Sequence, residues 1–248
     1  MDRSLRWFGS RTPGAMEEVL GRSFGGGRTA YEWLARAVSS SATRVLDLAC
    51  GAGAMIERLE RPGRTVIGLD RSETELAEAA ARGRGPLVLG HASYLPFADN
   101  SFDAVVTSLG VGVVADRPRF LAEAARVLRP GGVFAALTPS LRPANLDDIR
   151  LISRLASYLR VPPHLPGTTE FKAKEALAAV GLTKAEDARA KYYFEVADEE
   201  DAIRLLAGLR APVDAERAGA AIDFLRGRLL AGGPVQIPLP MRRLIAVK

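Results

Sequence analysis

A chain of 248 residues, 48% of them hydrophobic, is long enough for one large domain or a domain with a cap. Its single cysteine, Cys50, excludes an intrachain disulfide, and two histidines without a cysteine cluster speak against a zinc site. The net charge of +5 is mostly Arg scattered among Ala and Glu, with no long like-charge run, so it reads as solvated helix faces rather than a nucleic-acid footprint. No apolar run reaches the roughly 18 residues of a membrane span, and Met1 to Arg6 lacks an apolar signal core. A cytoplasmic protein without membrane insertion is expected.

Residues 1–28 are rich in Gly and Arg and show a weak helical pattern from Ala15 to Leu20, as in a lid or a surface arm. Gly25-Gly26-Gly27 lacks the Lys-Ser or Lys-Thr pair of a P-loop and reads as a flexible joint. Thr29 to Val38 reads as a helix with Tyr31, Leu34 and Val38 on one face. From Arg44 the chain alternates. Strands are expected at Arg44 to Leu48, Thr65 to Leu69, Pro86 to Leu89, Phe102 to Ser108 and Val133 to Leu137. Helices fall between them. Ser72 and Glu75 form a capping-box pattern, and Asp116 caps a helix with Pro118 in its first turn. This rhythm implies an α/β fold, with a doubly wound, mostly parallel sheet. Later stretches break it: helices at Leu146 to Leu159, Glu170 to Val180, Glu199 to Leu209 and Ala215 to Leu230, and strands at Ala190 to Val196 and Met241 to Val247. The expected division is an N-terminal arm and helix (1–43), a cofactor-binding core (44–140) and the rest of the sheet with helical cap insertions (141–248), all in one domain.

The stretch Val45-Leu46-Asp47-Leu48-Ala49-Cys50-Gly51-Ala52-Gly53 is a buried parallel strand followed by a small-residue turn. In open α/β sheets, ligands sit outside the carboxyl ends of such strands. A dinucleotide fingerprint needs a third glycine where this chain has Ile56. Asp47 at the turn repels phosphate and suits an ammonium group. Asp70, at the end of the second strand, can accept from both ribose hydroxyls. A nucleoside with a cationic amine and no phosphates fits, and S-adenosylmethionine is the common cofactor of that description. Cys50 reads as a packed turn residue, not a nucleophile.

Four segments in order across residues 44–138 then resemble class I S-adenosylmethionine-dependent methyltransferases. They are the turn above, Gly68-Leu69-Asp70-Arg71-Ser72, the stretch from Gly90 to Asp103, and Arg126-Val127-Leu128-Arg129-Pro130-Gly131-Gly132. The small-molecule branch that includes ubiquinone and menaquinone methyltransferases is the most similar. The resemblance implies a Rossmann-like sheet of seven strands, the last antiparallel. It places Ala49, Gly51 and Gly53 along the methionine part and Asp47 at its amine. It puts Asp70 on the ribose, Arg71 beside the adenine, His91 and Ala92 at the adenine edge, and Ser108 and Leu109 under the sulfonium. Three departures stand out. Ala49 replaces the first glycine, a mild change. His91 replaces an acid, and as neutral imidazole can accept through one ring nitrogen. The histidine common after the fourth strand is absent from Leu109-Gly110-Val111-Gly112-Val113.

The expected activity is methyl transfer to a small-molecule acceptor, an in-line displacement that leans on alignment and exclusion of water. His164, in Val161-Pro162-Pro163-His164-Leu165-Pro166-Gly167, is the only histidine left for a base should the acceptor be a hydroxyl. Two rivals remain: an RNA or protein methyltransferase, and a scaffold or cyclase that binds the cofactor without transferring methyl.

Overall fold

The computed structural model describes residues 13–142, 144–160, 172–209 and 214–248. The chain opens with helix α1 (Ala15–Gly21), the short strands β1 (Ser23–Gly25) and β2 (Arg28–Thr29), and helix α2 (Ala30–Ala35). The alternating region follows as β3 (Arg44–Leu48), α3 (Ala54–Leu59), β4 (Thr65–Asp70), α4 (Glu73–Ala81), β5 (Leu87–Leu89), β6 (Phe102–Ser108), α5 (Gly110–Val113), α6 (Arg117–Val127) and β7 (Leu128–Pro139). Then come α7 (Leu146–Leu159), α8 (Ala173–Ala178), β8 (Thr183–Val196), α9 (Glu199–Leu209), α10 (Ala215–Gly232) and β9 (Val235–Val247).

One sheet runs β2-β1-β8-β9-β7-β6-β3-β4-β5. From β7 to β5 every pairing is parallel, with Val45 opposite Val66 and Ala104, and Val106 opposite Ala135. β9 enters antiparallel between β7 and β8. These seven strands answer the expected sheet, antiparallel last strand included.

The sheet carries two strands more than expected. Gly26 and Gly27 sit at φ 58° and 74°, so the three glycines form a tight hairpin turn, not a flexible joint. The hairpin joins β8 through Ser23 opposite Phe194 and Phe24 opposite Tyr193. β8 and β9 also begin earlier than expected. The first half of β8 is half-exposed and charged, and its cross-strand partners are ion pairs: Arg242 with Asp187 at 2.8 Å and Arg243 with Glu186 at 2.8 Å. β9 contains Pro238 and Pro240, which lie beyond the last β7 pair, Pro139 with Met241, and so need no N–H for a second ladder.

Residues alternate between two cores, as the pleat requires. One face holds Val45, Val66, Ala104, Val106, Ala135 and Leu137 with α1, α2, α3, α7, α9 and α10. The other holds Leu46, Leu48, Val105, Phe134 and Ala136 with α6 and α8. The segment before β6 is pinned by Arg126, which donates to Phe97 O (2.8 Å), Leu95 O (3.1 Å), Asp99 (2.7 Å) and Glu123 (2.8 Å). Asp103 accepts from the Thr43 and Arg44 N–H groups, both at 2.9 Å, and from Arg129. Burial would raise its pKa, but these backbone bonds outweigh it and hold Asp103 down to about 2. It is a strut joining the amino ends of β3 and β6.

Candidate cofactor site

β3 delivers Asp47 one residue before its end, and the chain then turns back into α3. Ala49, Gly51 and Gly53 all lie in the left-handed region, at φ 59°, 54° and 83°. For Ala49 that conformation costs roughly 1 kcal/mol, so its methyl is less innocent than the sequence suggests. The turn is closed by Gly53 N–H to Cys50 O at 2.9 Å and tied to the next strand by Cys50 N–H to Leu69 O at 3.0 Å.

Asp70 ends β4 beside this turn. Its two carboxylate oxygens each accept one backbone N–H, from Gly51 and from Ser72, both at 2.9 Å. Each oxygen keeps a further acceptor site. Ser72 caps α4 by accepting from Glu75 N–H at 3.3 Å, and the Glu75 carboxylate accepts the Gly14 N–H at 3.0 Å.

Asp47 is the anomaly. It is 1% exposed, and neither carboxylate oxygen has a hydrogen-bond partner. Burial first, then the carboxylates of Asp70 and Glu17, push its pKa up to about 8, against a partial offset from Arg84. A buried carboxylate without donors is costly unless a ligand supplies them. An ammonium does so. Burial and the same two aspartates also push the Cys50 thiol well up, which keeps it un-ionised and agrees with a packing role.

The other side of the turn is formed by the end of β6. A Cβ on Gly110 would collide with Thr107 Oγ1 and lie 3.0 Å from Ala49 Cβ, so the chain after β6 lies directly against the turn. Leu109 there adopts φ 67°, and its N–H donates to Leu137 O at 2.8 Å. The hydroxyls of Thr107 and Ser108 are buried; that of Thr107 has no partner, and that of Ser108 faces the Tyr31 hydroxyl. The structure therefore brings Asp47, Ala49, Gly51, Gly53, Asp70, Ser108 and Leu109 together at one edge of the sheet.

A cleft of about 460 Å³ opens beyond Asp70, lined by Arg71, Ser72, Glu73, Thr74, Leu89 and Gly90. Leu89 is half-exposed and offers an apolar wall. Ala92 follows, half-buried against the second core. His91 is exposed beside Tyr94, with ring centroids 5.7 Å apart. Its Nδ1 accepts the Ser93 N–H at 3.1 Å. The neutral ring then carries its proton on Nε2, so its outward nitrogen donates. Nδ1 is thus engaged, and Nε2 is the ring nitrogen left to face a ligand. His164 lies outside the described residues.

Three residues near the turn carry no sequence motif. Tyr31 on α2 is buried, and burial followed by the carboxylates of Glu17 and Asp47 raises its pKa. Glu17 on α1 pairs with Arg84 at 2.8 Å and Arg82 at 3.1 Å. Arg84 also donates to Ala52 O inside the turn at 2.7 Å. Nothing local announces them, because each reaches the turn from a distant element. Among the described residues, no group of His, Cys, Asp and Glu could hold a metal.

With that geometry in place, residues 46–136 match the methyltransferase domain family. A demethylmenaquinone methyltransferase of Mycolicibacterium paratuberculosis is 47% identical over 89 residues, which are 36% of this chain and 38% of the relative. The chain thus spans well under half the length of that relative. Among solved structures, a putative methyltransferase from Bacillus halodurans superposes with a TM-score of 0.61 at 21% identity, covering 88% of this chain and 98% of the other. The cyclase SpnF superposes with a TM-score of 0.56 at 22% identity, covering 88% and 79%. The matched stretch ends within β7, and the strands after it join the same sheet. No helix among the described residues is long and apolar enough to cross a membrane.

Proposed function

We propose that the chain is an S-adenosylmethionine-dependent methyltransferase acting on a small-molecule acceptor. One observation carries the reading: a wholly buried carboxylate without a donor, Asp47, beside a left-handed small-residue turn whose neighbour Asp70 retains open acceptor sites. The residues fit the cofactor's two ends. Asp47 would take the ammonium and Asp70 the ribose hydroxyls, with Ala49, Gly51 and Gly53 along the methionine part. The cleft between Arg71 and Gly90, with its Leu89 wall, suits the base, and Ala92 borders it. When bound, the cofactor supplies a methyl group on a sulfonium, an already activated electrophile.

The protein's task is then alignment and exclusion of water. Ser108 and Leu109 end β6 against the turn, where the acceptor must approach. Ser108 Oγ, buried there beside the Tyr31 hydroxyl, is the polar group placed to orient it. His164 is proposed as the base where the acceptor is a hydroxyl. The acceptor class is proposed from the relative's name, which makes a demethylated quinol the first compound to try.

Calorimetry with S-adenosylmethionine tests cofactor binding, and Asp70→Ala is expected to weaken it about 100-fold or more, the loss of two hydrogen bonds to a charged acceptor. Unchanged affinity in that variant overturns the ribose role. S-adenosylhomocysteine formed on incubation with demethylmenaquinol supports transfer to that class. The similarity in fold to a cyclase favours a second reading, in which bound cofactor is never consumed. That outcome would appear as acceptor conversion without S-adenosylhomocysteine.

A further inference from the structure

A second cleft, of about 380 Å³, lies on the outer side of α2 and is lined by Gly27, Arg28, Glu32, Ala35, Arg36 and Arg58. Three guanidinium groups share this space with one carboxylate. That carboxylate is committed: Glu32 accepts from the Thr29 N–H at 2.6 Å and Thr29 Oγ1 at 3.1 Å, closing the capping box at the start of α2. Other arginines hold carboxylates, as in Arg84 with Glu17, Arg126 with Glu123 and Arg243 with Glu186. Among the described residues, no carboxylate forms an ion pair with Arg28, Arg36 or Arg58.

A buried donor deepens the anomaly. Arg28 Nε is buried and has no acceptor, while the buried Tyr192 hydroxyl faces the Arg28 side chain. Buried donors without acceptors are rare in folded proteins and are usually answered by water or a ligand. The mouth is also kept clear. Gly26 and Gly27 take left-handed turn geometry, and a Cβ on either would meet nothing within 4 Å.

We infer that this cleft binds a small anion bearing phosphate or carboxylate oxygens. Guanidinium forks match a pair of oxygens on either group, and charge-assisted bonds to them are the strong ones. The volume admits more than a single phosphate and suits a compact polyanion. The cleft is separate from the cofactor turn but shares a wall with it. Arg58 stacks over the Tyr31 ring at 4.9 Å, and Tyr31 lies within reach of the Asp47 charge.

The test is calorimetry on the full chain at low salt with two probes, pyrophosphate and citrate. One-site binding below about 1 mM is expected for at least one of them. Pyrophosphate binding the tighter identifies a phosphate ligand; citrate binding the tighter identifies a carboxylate. Arg36→Ala should weaken the favoured probe at least about tenfold and Arg36→Glu should abolish binding, since Arg36 is exposed and its loss leaves no buried group behind. Arg150→Ala, at an exposed arginine on α7, serves as the control and should bind as the native chain does. Absence of saturable binding, or equal affinity in Arg36→Ala and the native chain, overturns the inference. S-adenosylmethionine affinity measured on the same Arg36→Ala sample should be unchanged, so failure of the anion site is distinguishable from failure of the cofactor site.

Discussion

Asp47 is the buried acid at the site that no donor answers. Its carboxyl is buried without donors and titrates near 8, whereas in the unfolded chain it titrates near 4. Between those values the unfolded state releases this proton and the native state keeps it. Stability is therefore lost as pH rises through this window, by up to about 1.4 kcal/mol per pH unit from this group alone. Asp47→Asn removes the titration, so urea unfolding at pH 5 and pH 8 should show a flatter pH slope in the variant. A slope equal to the native one would place the proton elsewhere. The same linkage reaches the ligand. An ammonium seated at Asp47 favours the carboxylate, so cofactor binding at pH 7 should release a proton. Calorimetry in buffers of different ionisation enthalpy measures it, and Asp47→Asn should abolish the buffer dependence. That Asp47, Gly51, Gly53 and Asp70 gather at one turn is legible in the sequence, because acids and small residues at strand ends are themselves the signal. The tautomer of His91 is not legible, because it is set by Ser93 N–H, a local bond that no residue pattern reveals.

At the level of elements, the cofactor turn is held from outside its own motif. Arg84 follows α4, yet it joins Glu17 of α1, Glu57 of α3 and the Ala52 carbonyl of the turn. Glu17 is half-buried, and that burial raises its pKa while Arg84 works against the rise. Arg84→Ala would leave Glu17 without its nearest cation and the Ala52 carbonyl without its donor. A loss of about 2 kcal/mol is expected in urea unfolding, below the 3–5 kcal/mol of a fully buried pair because water reaches these groups. Faster amide exchange over residues 15–21 and weaker cofactor binding should accompany it. Exchange unchanged in α1 would show that its packing on α9, not Arg84, secures it. Elements with a long period were read well, since each helix carries its own apolar stripe: α6 and α7 lie within a residue or so of expectation. The hairpin of β1 and β2 escaped because its strands are too short for a pattern and its pairing partner, β8, is about 170 residues away. The early starts of β8 and β9 escaped for a related reason. Charged and proline-containing sequence reads as loop until a partner strand supplies the ion pairs and the register.

Across the whole molecule, the hairpin solves an edge problem. Without it, the 14-residue strand β8 would border solvent along the end that carries Tyr192 and Phe194. Long unpaired edges recruit other chains, and sheets are usually shielded at that position. β1 supplies the shield with few contacts, two paired residues and the buried Ser23 hydroxyl donating to Val19 O at 2.5 Å. Its close approach depends on Gly25, where a Cβ would collide with the Lys191 carbonyl oxygen and lie 3.1 Å from the Tyr192 ring. Backbone cannot yield as a flexible side chain can. Gly25→Ala should therefore lift the hairpin from β8 at a cost of about 1–3 kcal/mol. Gly26→Ala, strained by its positive φ but with open space beside it, should cost less and leave the pairing intact. The distinguishing measurement is amide exchange at residues 23–25 and 193–194, together with light scattering on mild heating. Protection lost and aggregation gained only in Gly25→Ala would assign the hairpin its role as edge guard. Equal behaviour of the two variants would mean that the turn, not the close strand contact, holds it in place.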